Sequence, residues 1–226
     1  MSPNSTKIGK STLLVALLRI VELDEGSIII DGVDHKTLGL NKLRSKIAVI
    51  PQDPVLFSGS VKTNLDPFSE FDDTRLFQVL ARVGLYTTLQ PSSSSLSLSS
   101  MANAKVQSLD DQVNDGGSNF SVGQRQLIVI ARALLCGARI VIMDEATAAV
   151  DADTDARIQA VMRTEFANAT TITVAHRINT IMDSDLILVM DDGQASDFDT
   201  PKALLEKGGM FADLVDAACK KGYDEE

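Results

Sequence analysis

Three apolar runs predict an α/β protein with a mainly parallel sheet. They are ARIVIMDEA, TTITVAH and SDLILVMDDG, each breaking off into polar residues and each separated from its neighbours by sequence of other patterning. Strands buried on both faces read as continuous β-branched runs rather than as alternation, and helices between them supply the crossovers that parallel pairing needs. A chain of 226 residues has room for one substantial core, or one domain with a smaller second lobe.

The elements follow in order. From Lys10 to Val21, apolar Leu13, Leu14, Leu17, Leu18 and Val21 recur at three- and four-residue spacing, which predicts a helix buried on one face. Ser27–Asp31 and Ile47–Ile50 read as strands. Residues 91–100, PSSSSLSLSS, are serine-rich low complexity and read as a flexible surface insertion. DDQVNDGGSNFSVGQRQL is a turn-rich stretch feeding a helix, and Ala152–Arg163 reads as a further helix between ARIVIMDEA and TTITVAH.

Bulk properties narrow the classes of function. A net charge of −10 argues against nucleic acid as a general partner, because phosphate binding needs a basic face. Cys136 and Cys219 are the only thiols, and the apolar run around Cys136 suggests a packed side chain, so neither a disulfide framework nor a metal site is expected and a reducing compartment fits. The longest apolar stretches, STLLVALLRIV and RQLIVIARALLCGARIVIM, are interrupted by Arg19 and by Arg132 and Arg139. Neither reaches the roughly 20 apolar residues of a membrane span, and no signal peptide is recognisable, so the chain is expected to be soluble and to reach a membrane only through a partner.

Candidate chemistry gathers where the apolar strands end, since ligands of open parallel sheets bind beyond the carboxyl ends of the strands. That places Asp144, Glu145 and His176 at one rim. Two adjacent carboxylates at the end of a buried strand suit a Mg²⁺ ion and a reacting water; the other reading is a helix N-terminus, where the dipole favours acids. Gln52 follows the strand Ile47–Ile50 through Pro51 and on its own is loop polarity. His35, in a DGVDHKT turn, carries no assignment. Phe120–Gln124, FSVGQ, sits at a loop-to-helix junction whose free N–H groups attract anions; taken in isolation it reads first as a helix capped by Ser121. Gly9-Lys10-Ser11-Thr12 has the form of the end of a phosphate-binding loop, although the glycine of G-x-x-x-x-G-K-[ST] five residues before Gly9 is Asn4.

In order, GKST, PQDPVLFSG, NFSVGQRQL, VIMDEATAAVD and TVAHR resemble the motif series of an ATP-binding-cassette nucleotide-binding domain, from Ile8 to about Asp216. The resemblance implies a P-loop NTPase (RecA-like) core with a helical subdomain carrying the signature motif, and ATP and Mg²⁺ as ligands. Gly9, Lys10, Ser11 and Thr12 then belong to the P-loop, with Lys10 on the phosphates and Ser11 on the metal. Gln52 matches the Q-loop glutamine, a metal and water ligand, and Asp144 the Walker B aspartate that holds Mg²⁺. Glu145 matches the catalytic glutamate, Asp151 the D-loop aspartate and His176 the switch histidine. Ser121, Gly123 and Gln124 match the signature motif, in which Val122 stands where a second glycine is usual.

That valine, with LRSKIAVIPQDPVLFSGSVKTNLDPF, is similar to the second cassette of multidrug-resistance-associated-protein exporters, whose site keeps the glutamate found here as Glu145. The implied protein drives export of organic anions or conjugates at the cytosolic face of a plasma or vacuolar membrane. Its partners are the transporter's transmembrane domains and a second cassette that completes a head-to-tail ATP sandwich. Residues 1–226 are expected to form a single cassette lacking its N-terminal strands, with residues 53–137 as the helical and signature region and the rest as ATPase core. Asn4 and Lys7 stand where the family has P-loop glycines, and MSPNS replaces the strand before the loop. The alternative is a degenerate cassette that acts only as a binding partner.

Overall fold

The computed structural model describes residues 10–86, 106–144, 150–174 and 181–223. In chain order these form α1 (Lys10–Leu17), β1 (Ile29–Ile30), β2 (Val33–Asp34), α2 (Leu40–Arg44), β3 (Ile47–Ile50), β4 (Gly59–Ser60), α3 (Val61–Leu65), α4 (Asp73–Arg82) and β5 (Gln112–Val113). Then come α5 (Val122–Leu135), β6 (Ile140–Asp144), α6 (Ala152–Glu165), β7 (Thr170–Val174), β8 (Ile187–Asp191), β9 (Gln194–Asp199), α7 (Pro201–Lys207) and α8 (Met210–Tyr223). They divide into two compact units, residues 44–172 and residues 1–43 with 173–226. The serine-rich stretch Pro91–Ser100 lies outside the described residues.

The unit of residues 44–172 is organised on a sheet of order β3-β6-β7. β3 and β6 run parallel, from Ile47 opposite Ile140 to Ile50 opposite Met143. Thr170 N donates to Arg139 O (2.8 Å), which sets the start of β7 beside the start of β6. Val141 and Ile142 are fully buried, as a central strand of continuous apolar residues requires. Leu76, Val79 and Leu80 of α4 and Leu127, Ile128 and Ile130 of α5 join Val141 and Ile158 of α6 in one core around Val141.

Helix ends in this unit are set by local chemistry. Asp72, Ser60, Ser121 and Asp151 each accept a hydrogen bond from the backbone N–H three residues on, capping α4, α3, α5 and α6. Helix α6 matches the expected Ala152–Arg163 segment and continues to Glu165, whose carboxylate pairs with Arg82 of α4.

In the other unit the expected helix Lys10–Val21 is shorter, ending at Leu17. Arg19 adopts a left-handed φ of 49°, which ends the helical path, and its guanidinium donates to the carbonyls of His35 (3.2 Å) and Leu38 (2.8 Å). The expected buried face also shifts: Leu14, Ala16 and Leu17 are buried, whereas Leu13 and Val21 are exposed. The expected strand Ser27–Asp31 is only Ile29–Ile30, and it pairs antiparallel with β2. Asp31 and Gly32 make that turn with φ of 50° and 79°, the left-handed pair a two-residue hairpin needs.

SDLILVMDDG likewise differs from the parallel expectation. Its strand β8 pairs antiparallel with β9 across Asp192-Gly193, whose φ angles are 43° and 77°. Asp-Gly is the sequence signal for such a hairpin, and here it overrides the resemblance of LILVM to a buried parallel strand. Ile187 and Val189 pack with Leu204 of α7 and Phe211 of α8.

Two single residues also depart from expectation. Cys136 is exposed at the C-terminal cap of α5 rather than packed in the apolar run; partial desolvation and the Glu70 charge push its thiol up. His35 is fully buried, and its Nε2 lies 3.3 Å from the carbonyl of Ala16, in the last turn of α1.

Candidate functional site

β3 and β6 are adjacent, parallel and in register, with Ile50 opposite Met143. The residue after each therefore sits at the same carboxyl edge: Pro51 then Gln52 on one strand, Asp144 as the last residue of the other. Gln52 is exposed and Asp144 half-buried. A carboxylate and an amide carbonyl are hard oxygen donors of the kind Mg²⁺ takes, so this pair fits the ion chemically. A strand that is apolar to Met143 and polar at Asp144 produces this edge without any special loop geometry.

The backbone around Gln52 is held from α5. Gln126, fully buried, donates from Nε2 to Pro51 O (3.2 Å). Arg132 donates to Val55 O (2.9 Å), to Asn64 O (2.5 Å) and to Asn64 Oδ1 (2.8 Å). Asn64 in turn accepts from Phe57 N (2.9 Å) and donates to Phe57 O (2.8 Å). Sequence reasoning missed all three side chains. Arg132 was visible only as an interruption of an apolar run, and its charge in that run was the signal available.

Ser121 begins α5 through a reciprocal capping box. Its Oγ accepts from Gln124 N (3.2 Å), and Gln124 Oε1 accepts from Ser121 N (3.0 Å). Gly123, in the first turn of the helix, is buried, and a Cβ there would stand 2.2 Å from Cγ2 of Thr154. Thr154 lies in the first turn of α6, and its N–H donates to Oδ1 of Asp151 (3.0 Å). That bond, with a further one from the Thr154 side chain, holds the Asp151 carboxyl below its ordinary value of 3.8. Gly123 and Asp151 thus meet through Thr154.

Of the other candidates, Lys10 and Ser11 form the first turn of α1, and Thr12 follows them, exposed. Gly9, Glu145 and His176 lie outside the described residues.

A parallel α/β core with its oxygen donors at the carboxyl edge and a neighbouring helix capped by Ser121 is a P-loop nucleotide-triphosphatase fold of the ABC exporter kind. The chain belongs to the ABC transporter family, whose model matches residues 6–148. It is 46% identical over 93% of its length to the "Pleiotropic ABC efflux transporter of multiple drugs YBT1" of Candida glabrata, of which it covers 13%. It is 47% identical, again over 93% of its length, to "ABC transporter C family member 12" of Dictyostelium discoideum, of which it covers 15%. Among solved structures it is similar to a bacterial Atm1-family ABC exporter with ATP bound, with a TM-score of 0.79 and 30% identity over 93% of this chain and 35% of that one. The chain spans about one-seventh of the length of these curated relatives or less.

Proposed function

We propose that this chain is the second nucleotide-binding cassette of a C-family exporter, one that binds and hydrolyses ATP to drive export of organic anions or conjugates. The whole of residues 1–226 acts as one cassette in this reading, with residues 53–137 as its helical and signature region. The observation that carries the reading is the register of β3 and β6, which sets Gln52 and Asp144 at one carboxyl edge within the ordered series of five motifs.

Cleaving a terminal phosphate asks a protein for positioning and charge, and little covalent chemistry. Lys10 attracts the phosphates, with Gly9 allowing close approach and Thr12 beside them. Ser11, Gln52 and Asp144 supply oxygens to Mg²⁺. When bound, Mg²⁺ neutralises phosphate charge. Glu145 orients the attacking water and accepts its proton, and His176 donates toward the terminal phosphate.

Ser121, Gly123 and Gln124 act on the nucleotide of a partner cassette, with Asp151 at the same junction. Transmembrane domains of the exporter, at a plasma or vacuolar membrane, are the remaining partners. Among the described residues no helix is long and apolar enough to cross a membrane.

The test is MgATP titration of the 226-residue chain with phosphate release measured alongside, for the wild type and for Glu145→Gln. Binding in both, with release only in the wild type, is the expected result. Binding without any release favours a cassette that serves only as a partner, a reading that Asn4 and Lys7 in place of P-loop glycines keep open. Absence of binding overturns the ATPase reading and leaves the binding-partner one.

A further inference from the structure

Gln126 is fully buried on α5, yet it uses little of its hydrogen-bonding capacity. Its Nε2 donates to Pro51 O at 3.2 Å, while Oε1 is buried with no partner among the described residues. A carbonyl oxygen can only accept, so the amide must turn its NH₂ toward Pro51 and leave Oε1 stranded. A methionine would fill a similar volume and remove the stranded Oε1, giving up only the single bond to Pro51 O, so packing does not account for glutamine here and that one bond is what the amide contributes.

What the amide does achieve is orientation. Proline has no N–H, so its carbonyl is the main-chain group through which position 51 can be gripped. That carbonyl and the N–H of Gln52 belong to one planar peptide unit, and fixing one fixes the other. Farther along, Arg132 of the same helix grips Val55 O at 2.9 Å. The loop carrying Gln52 is therefore held on both sides by α5, the helix that begins with the Ser121 capping box.

We propose that Gln126 is a positioning residue: it sets the Pro51–Gln52 peptide plane and so couples the metal-binding amide of Gln52 to the helix that starts at the signature Ser121. This inference rests on the function proposed above for Gln52, and its test separates the two. Gln126→Met is made in the full 226-residue chain. Mn²⁺ binding in the presence of ATP is read by electron paramagnetic resonance, ATP affinity is measured separately in EDTA, and thermal melting monitors the fold.

The expected result is a Kd for Mn²⁺ raised about tenfold, the loss typical when a group that orients a metal ligand is removed. ATP affinity in EDTA and Tm stay at or above the wild-type level. A second readout needs no ligand: a nitroxide attached through Gln52→Cys, with Cys136→Ser and Cys219→Ser, gives a sharper, more mobile spectrum when Gln126→Met is added.

Unchanged Mn²⁺ affinity or unchanged nitroxide mobility overturns the coupling. A fall in Tm with general loss of binding also overturns it, by making Gln126 a packing residue. If the wild type holds no Mn²⁺ with ATP, the function proposed above fails together with the metal-linked part of this inference, and the nitroxide still decides whether Gln126 tethers the loop.

Discussion

Gly123→Ala tests whether the glycine at this position is needed by the helix packing as well as by any ligand. The added Cβ would stand 2.2 Å from Thr154 Cγ2, 3.4 Å from Thr154 Cβ and 3.5 Å from Val150 Cγ1. Ordinary carbon contacts begin near 3.5 Å, so the first distance requires a shift of roughly 1.3 Å between the starts of α5 and α6 while the other two need almost none. Overpacking of this kind costs about 1–3 kcal/mol. The better helix propensity of alanine offsets up to about 1 kcal/mol of that. The net expectation is a destabilisation of about 1–2 kcal/mol, or roughly 2–8 °C in Tm for a chain of this size.

The offending atom is a single methyl, so Thr154→Ser should relieve the clash while keeping the hydroxyl beside Asp151. Alone, Thr154→Ser costs about 0.8 kcal/mol for one lost methyl. Combined with Gly123→Ala it should recover most of the loss, giving a favourable coupling of at least about 1 kcal/mol in a double-mutant cycle by urea unfolding. A Gly123→Ala chain as stable as the wild type, or two losses that simply add, refutes the packing argument. If the double variant melts normally yet still fails in ATP-dependent pairing, Gly123 has a separate role toward phosphate.

Three further outcomes are expected. Replacing Asn4 and Lys7 together by glycine should tighten MgATP binding about tenfold if the phosphate-bound loop requires a left-handed backbone at either position, where a non-glycine residue costs about 1–3 kcal/mol; a fluorescent ATP analogue reads this, and an unchanged Kd removes the argument. Asp151 has a folded pKa below its ordinary 3.8, so its contribution to stability is present above that value and is lost as pH falls through the folded pKa. Asp151→Asn should therefore flatten the stability profile below about pH 4 in urea unfolding, since asparagine still caps α6, and an equally steep acid limb would count against it. Ser121→Asp keeps a capping acceptor but opposes phosphate, so it should spare ATP binding and abolish ATP-dependent pairing of cassettes, whereas pairing at wild-type levels would exclude Ser121 from the contact.

β6 was legible because burial on both faces of a central strand leaves a continuous apolar run, and β3, whose Val49 is exposed, was legible from its short β-branched run alone. The limits of α1 were hidden. Nothing local in Leu17-Leu18-Arg19 ends a helix, and the left-handed turn at Arg19 is offset by hydrogen bonds to carbonyls at positions 35 and 38, which no window around residue 19 contains. β8 failed for the opposite reason. Its local Asp-Gly turn signal was present but was weighed below the apolar run, although two left-handed residues in succession decide strand direction more strongly than composition does. The partners of Gln126, Arg132 and Asn64 were unreadable because each serves a backbone carbonyl, for the first two about 75 residues away, and carbonyls leave no mark in a residue string.

FSVGQ shows why two readings of one motif need not compete. As a helix cap, Ser121 uses one acceptor position of its hydroxyl, toward Gln124 N, and its own N–H is taken up by Gln124 Oε1. A serine hydroxyl has a second acceptor position and one O–H donor. The cap therefore leaves the O–H as a donor, the kind of group a phosphate oxygen accepts from, while it removes the rotamer freedom the side chain would otherwise lose on binding. Gly123 follows the same logic: its missing Cβ lets α5 approach Thr154, and that approach fixes the first turn whose free N–H groups form the positive end of the helix dipole. In this region the structural role of each residue is compatible with the chemical one proposed for it, which is why the sequence alone could not choose between them.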